Sequence, residues 1–214
     1  MITQPFTVAF YALLGYLSGN VMYAYWIPRL LKGVDVREYG ADGNPGASNA
    51  ASACGLPMGI LCAVADILKG AMPVYAAVHL GGLMGWELFP VVLAPVIGHA
   101  WPALLHFQGG KAIATSFGVL IGLMPEILLA LCWAVLLIVM LPFIKDHSTL
   151  IIVTTLMTAG AAFILYPFLW LQAAQCGISS ILVYKHLPKH REEEAPVLQA
   201  VEEEGTVPNR ASGC

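Results

Sequence analysis

The sequence predicts an all-α integral membrane protein with about seven transmembrane helices, its N-terminus outside and its C-terminus cytoplasmic. Three observations predict it. Of 214 residues, 58% are hydrophobic and 11% charged, whereas a soluble domain usually carries about 25% charged residues. A surface so short of charge has to face lipid. The apolar runs are too long for strands and lack period-two alternation. Once seven spans are drawn, the basic residues sort to one side of the membrane.

A helix needs about 20 apolar residues to cross the hydrocarbon core. The runs are Pro5 to Leu30, Pro57 to Leu80, Trp86 to Leu105, Ala112 to Met124, Glu126 to Phe143, Thr149 to Tyr166, and Phe168 to Tyr184. The first lacks a basic n-region and a small-residue cleavage site, so it reads as a retained helix. The fourth is short and reads as tilted, re-entrant or covered by its neighbours. Tight connections at Met124-Pro125 and Tyr166-Pro167 predict antiparallel hairpins. In this arrangement Arg29, Lys32, Arg37, Lys111, Lys145, Lys185, Lys189, Arg191 and Arg210 are inside, Glu87 and Glu126 are outside, and Lys69 lies within a span. The membrane unit is expected over 1–187. The remainder, 188–214, reads as a polar and disordered cytoplasmic tail holding six of the 13 acidic residues. The five cysteines show no paired or metal-type spacing and read as small buried hydrophobes.

Two inside loops carry the chemistry. The first runs from Lys32 to Pro57 and contains Gly40-Ala41-Asp42-Gly43-Asn44-Pro45-Gly46-Ala47-Ser48-Asn49. Its glycines permit turns that other residues resist, and Asn44, Ser48 and Asn49 supply uncharged donors. Such a run can aim several N–H groups at an anion, although an ordinary glycine-rich loop would account for the same residues. The second loop holds Gly98-His99-Ala100-Trp101-Pro102, then Phe107-Gln108-Gly109-Gly110-Lys111-Ala112-Ile113-Ala114-Thr115. Gly109 and Gly110 are expected at the start of a helix, where free N–H groups and the helix dipole favour phosphate. Lys111 adds a charge there and Thr115 a hydroxyl. The spacing is not that of a Walker motif, and a helix N-terminus with a snorkelling lysine is the alternative. A lone histidine such as His99 at the end of a span is more often structural than catalytic. Asp66 and Lys69, one helical turn apart, are expected to pair; an anionic group is the other partner open to Lys69. Lys145-Asp146-His147-Ser148 reads as a solvated turn, and Tyr184 to Arg191 as a basic juxtamembrane anchor.

These loops together resemble the acyl-phosphate-dependent glycerol-3-phosphate acyltransferases, the PlsY family. The family's first motif is similar to Ala41–Asn49, its Asp-x-x-Lys-Gly to Asp66-Ile67-Leu68-Lys69-Gly70, and its third motif to Gly98–Pro102 with Phe107–Thr115. A later serine corresponds to Ser148, and its closing Tyr-Arg-His to Tyr184-Lys185-His186. The resemblance implies a seven-helix membrane enzyme with its active site facing the cytoplasm at the cell membrane. The enzyme would move an acyl group from acyl-phosphate to the 1-hydroxyl of glycerol-3-phosphate, giving lysophosphatidate for phospholipid synthesis. It implies catalytic roles for Asp42, Lys111 and His186. Substrate-binding roles fall to Gly43, Asn44, Gly46, Ser48, Asn49, Lys69, His99, Gly109, Gly110, Thr115 and Ser148.

Three positions depart from the family pattern: Asp42 stands where it has Ser, Ser52 where it has Arg, and Lys189 where it has Asn. Loss of the arginine removes a forked phosphate donor. Asp42 would repel a phosphate unless protonated or paired, and a carboxylate there could instead act as general base. A divergent relative with a different acceptor, or without catalysis, therefore stays open, as does a transporter built around Asp66 and Lys69. Expected partners are acyl-phosphate, glycerol-3-phosphate or a related acceptor, the lipid bilayer and a soluble acyl-phosphate synthase. No metal, cofactor or nucleic acid is expected.

Overall fold

The computed structural model describes residues 4–40 and 43–187. Asp42, Lys189 and the 188–214 tail, with the roles expected of them, lie outside the described residues. Within them the chain forms nine α-helices and no strand. These are α1 (Gln4–Asn20), α2 (Tyr23–Lys32), α3 (Ala47–Cys54), α4 (Leu56–His79), α5 (Leu88–Ala100), α6 (Ile113–Gly122), α7 (Leu128–Met140), α8 (His147–Leu165) and α9 (Leu169–His186). Three segments are long and apolar enough to cross a membrane: Leu56–His79, Gly85–Leu105 and His147–Leu165. Large apolar side chains such as Leu80, Ile138 and Ile164 point outward, Ile164 being 87% exposed. In water such a surface would be costly; in lipid it is the expected exterior.

Glycines set how closely the inner helices approach. On α1, a Cβ at Gly15 would press on Pro95 and one at Gly19 on the Pro95 carbonyl. Gly98 answers from α5, lying against the Tyr16 carbonyl. On α4, Gly70 meets the Thr115 carbonyl, while Gly118 and Gly122 of α6 lie against the carbonyls of Ile67 and Ala71. Both pairs use small residues four apart so that backbones touch, the packing that works where lipid removes the hydrophobic drive. Outside them, Phe117 of α6 stacks on buried Trp133 of α7, centroids 4.2 Å apart. The Trp133 Nε1–H donates to Thr154 of α8 at 3.2 Å. Helices α8 and α9 share a Thr155–Ser179 hydrogen bond of 3.0 Å.

Two expectations need correction. The run Pro5 to Leu30 is not one helix, because it breaks between α1 and α2. The break is stabilised from outside: the Lys69 Nζ donates to the Val21 carbonyl at 2.6 Å, and the Ser18 hydroxyl donates to the Lys69 carbonyl at 2.8 Å. The stretch Lys32 to Pro57 is not all loop. It contains a short 3-10 turn, Val36–Glu38, and the helix α3. The short fourth span is α6, of 10 residues. The four cysteines among the described residues, Cys54, Cys62, Cys132 and Cys176, form no disulfide.

Candidate functional site

A cleft of about 410 Å³ opens where the starts of α3, α6 and α8 meet the end of α5 and the middle of α4. Its wall carries Asn44, Gly46, Ser48 and Asn49 from the first loop and α3, and Asp66 and Ile67 from α4. His99 comes from α5, Lys111 and Ala112 from the second loop, Phe117 from α6, and His147 from α8. Segments more than 60 residues apart along the chain thus form one surface.

Local backbone chemistry builds the first wall. Gly40 and Gly43 both have positive φ, 107° and 58°, the conformation that a Cβ penalises. Gly40 also leaves room for the Asn49 side chain, into which a Cβ would run. Asn49 uses that room to donate through Nδ2 to the Asn44 carbonyl at 2.8 Å, and the Gly46 N–H donates to the same carbonyl at 2.8 Å. The chain then enters α3 through Gly46, an N-cap with no side chain to bond the first-turn amides.

The second wall works differently. Ala112 caps α6 in the left-handed region (φ 60°), again without a side-chain bond. Gly109 and Gly110 lie before this point, so the expectation that they begin the helix and offer free N–H groups is corrected. The Gly110 N–H donates to the His99 carbonyl at 3.1 Å. A Cβ on Gly109 would strike the carbonyls of His99 and Ala100 and the Pro102 ring; one on Gly110 would strike the His99 imidazole. The two glycines let the loop fold tightly onto His99. Thr115 holds the same ring from the helix side, its Oγ1 lying 3.0 Å from Nδ1. The residues that line the cleft here are instead Ala112 and the first turn of α6, Ile113 and Ala114, beside Lys111.

Both helices therefore present uncapped N-termini to the cleft, where the backbone dipole favours an anion. The start of α8 contrasts with them. Asp146 accepts from the Thr149 N–H at 2.8 Å and from its hydroxyl at 2.7 Å, so this terminus already has its carboxylate. Among the described residues Asp66 is the one acidic residue in the lining, and Lys69 balances it at 2.7 Å. Lys69 is otherwise committed to the Val21 carbonyl, with its ammonium 5.7 Å from the Tyr23 ring centroid.

Of the residues singled out from sequence, the cleft lining gathers Asn44, Gly46, Ser48, Asn49, His99 and Lys111. Gly43, Lys69, Gly109, Gly110, Thr115, Ser148 and His186 are not among its lining residues. Ser148 is buried at the start of α8, and His186 is buried near the end of α9. The His186 Nδ1 lies 2.6 Å from the Leu182 carbonyl, so that nitrogen is the donor. Sequence reasoning missed His147, which lines the cleft from a turn read as merely solvated, and Phe117, held by Trp133 at its inner side.

A helical bundle with an apolar exterior defines the membrane-embedded class of protein, and its cleft gathers a lysine, two histidines and two asparagines. The sequence profile of the family described as glycerol-3-phosphate acyltransferase matches residues 9–193, and the chain belongs to that family. A glycerol-3-phosphate acyltransferase of Shouchella clausii is 34% identical over 181 residues, covering 84% of this chain and 86% of that protein. One from Myxococcus xanthus is 43% identical over 118 residues, covering 55% of this chain and 61% of that protein. The fold is similar to the crystal structure of PlsY, an integral membrane glycerol 3-phosphate acyltransferase, in its glycerol 3-phosphate form. There the TM-score is 0.76 at 29% identity, over 93% of this chain and 99% of that one. The lysophosphatidic acid form gives 0.75 at 28% identity, over 90% of this chain and 92% of that one.

Proposed function

We propose that the chain is a membrane glycerol-3-phosphate acyltransferase that takes its acyl group from acyl-phosphate and places it on the 1-hydroxyl, forming lysophosphatidate. The observation that carries this reading is the meeting of Lys111 with the Asn44–Asn49 segment in one cleft. Both substrates bear phosphate, and the cleft offers a lysine, amide donors and two uncapped helix N-termini. The hydroxyl attacks the acyl carbonyl, the C–O bond to phosphate breaks, and the hydroxyl proton ends on the departing phosphate. Lys111 stabilises charge on that phosphate, and Asn44, Ser48 and Asn49 orient the substrates. Such positioning and fixed charge supply most of the rate in a reaction whose donor is already activated.

The remaining roles follow. His99 is held in place by Gly109, Gly110 and Thr115, Lys69 steadies Asp66, and Gly43 and Gly46 shape the first wall. Ser148 and His186 support the α8 and α9 side. Asp42 acts as base or as a selector of acceptor charge. The helices cross the bacterial cell membrane as seven spans, with α1 and α2 forming the first. The N-terminus is outside, and the cleft and C-terminus are cytoplasmic. Arg29, Lys32, Arg37, Lys111 and Lys185 at the cleft end support that orientation. Acyl-phosphate, which hydrolyses readily, would come from a soluble synthase.

The test is turnover by purified protein in liposomes supplied with palmitoyl phosphate and glycerol-3-phosphate, with the product read by mass spectrometry. Wild type is expected to form lysophosphatidate, and Lys111→Ala to lose about 100-fold or more. Absence of product from folded wild type contradicts the reading.

A further inference from the structure

We propose that His147 is a substrate-contacting residue, donating a hydrogen bond to a phosphate held opposite Lys111; this deepens the acyltransferase reading and rests on it for the identity of the phosphates. His147 occupies the inward face of α8. Along α8, Leu150, Ile151, Thr154 and Thr158 are buried. His147 stands on the same row, at the spacing of three and four that keeps residues on one helix face. It is the first residue of the helix, so its side chain continues the inward stripe just where packed core gives way to open cleft.

The backbone that carries it is held in place. The two bonds from Thr149 to the Asp146 carboxylate lock the turn that launches α8, and buried Ser148 and Leu150 hold the next turn against the bundle. The imidazole lines the cleft that also contains Lys111, Asn44 and Asp66. Behind it stands His186 of α9, ring centroids 6.3 Å apart, itself oriented by Leu182.

The third wall then needs a side chain of this kind. The starts of α3 and α6 reach an anion with backbone amides, but α8 has its N-terminus satisfied by Asp146. What α8 contributes to the cleft is the imidazole, an N–H donor. Apart from His147, the lining side chains among the described residues that bear or can take positive charge are Lys111 and His99. His99 already has its Nδ1 at Thr115 and Gly110 against its opposite nitrogen. Lys111 and His147 line the cleft from the second loop and from the start of α8, so a phosphate bound there comes within reach of both. The phosphate belongs either to the acyl donor or to the glycerol acceptor, and the chemistry of the contact is the same for both.

The experiment compares wild type, His147→Ala, His147→Lys and, as a control on the same turn, exposed Lys145→Ala. Binding of inorganic phosphate, glycerol-3-phosphate and an acyl phosphonate is measured by calorimetry on the full chain, and KM for each substrate is measured separately. The expected result is about tenfold weaker binding, or an equal rise in KM, for at least one phosphate compound in His147→Ala, with kcat changed less than about threefold. His147→Lys should restore most of it, and Lys145→Ala should match wild type. The arm that moves says which substrate's phosphate is touched. Unchanged binding and KM in folded His147→Ala, a fall in kcat alone, or a wild type that binds none of the three probes overturns the inference. A wild type that binds them, weakened by His147→Ala, but makes no lysophosphatidate leaves the inference standing and removes the acyltransferase reading.

Discussion

The two glycine-bearing loops look alike in sequence and do different physical work. The first uses glycine chiefly for conformation: Gly40 and Gly43 adopt positive φ so that the chain can turn and enter α3, and Gly40 also makes room for Asn49. In the second, neither Gly109 nor Gly110 has positive φ; both are needed for space against His99 and Pro102. A turn glycine is strained by a side chain, whereas a contact glycine is blocked by one. Both routes end alike, with an uncapped helix N-terminus on a shared cleft.

That contrast can be broken by substitution. The largest effect is expected from Gly109→Ala, because the obstacles are two backbone carbonyls and a proline ring that cannot move aside. About 1–3 kcal/mol of stability should be lost, with activity falling about 100-fold as the His99 wall shifts; thermal denaturation and turnover read both. Gly46→Asp sharpens the comparison by separating fold from function. Gly46 has φ −115° and ψ 160°, as an N-cap residue should, and a Cβ there meets nothing within 4 Å. A carboxylate should therefore cap α3 and leave stability unchanged or slightly raised. It should also occupy the place of the substrate phosphate, raising KM about tenfold or more. A variant that is stable and still binds normally would show that the start of α3 holds no anion.

A smaller effect is expected at the entrance to the first loop. Asp35 accepts from Arg37 Nε and Nη2 at 3.0 and 2.7 Å and from Arg29 at 3.1 Å, while Arg37 lies over the Tyr25 ring. Partial burial pushes the carboxyl up, but the Arg37 hydrogen bonds and the Arg37 and Arg29 charges outweigh it, leaving it below the usual range. A carboxyl lowered in the folded state stabilises the fold above its ordinary pKa, and that contribution fades as pH falls through the folded value. Asp35→Asn should lower the melting temperature slightly at pH 7 and show less further loss than wild type below about pH 4.

How much of this could be read from sequence depended on whether the signal was local. Apolar runs exposed the helical membrane architecture, because lipid imposes a constraint on every residue in a span. The break after Asn20 was illegible, since its cause is Lys69 reaching across from another helix. Helix α3 was missed because its eight residues, Ala47–Cys54, are small or polar and resemble a loop. In the cleft, Asn44, Ser48, Asn49 and Lys111 stood out through their glycine-rich company. His147 did not, although the row through Ile151, Thr154 and Thr158 was present in the sequence; its meaning required knowing which face of α8 is buried. Pairing of Asp66 with Lys69 followed from spacing. That Asp66 would face the cleft while Lys69 faces the broken helix did not.

The central claim is that the two loops act on one ligand, and a double-mutant cycle tests it most directly. The kcat/KM for lysophosphatidate formation is measured for wild type, Asn44→Ala, Lys111→Ala and the double variant, all confirmed folded. Groups gripping the same reacting pair should be non-additive, with a coupling of about 1 kcal/mol or more. Losses that add to within about 0.3 kcal/mol would mean that the walls work independently, and the single cleft would no longer explain the chemistry.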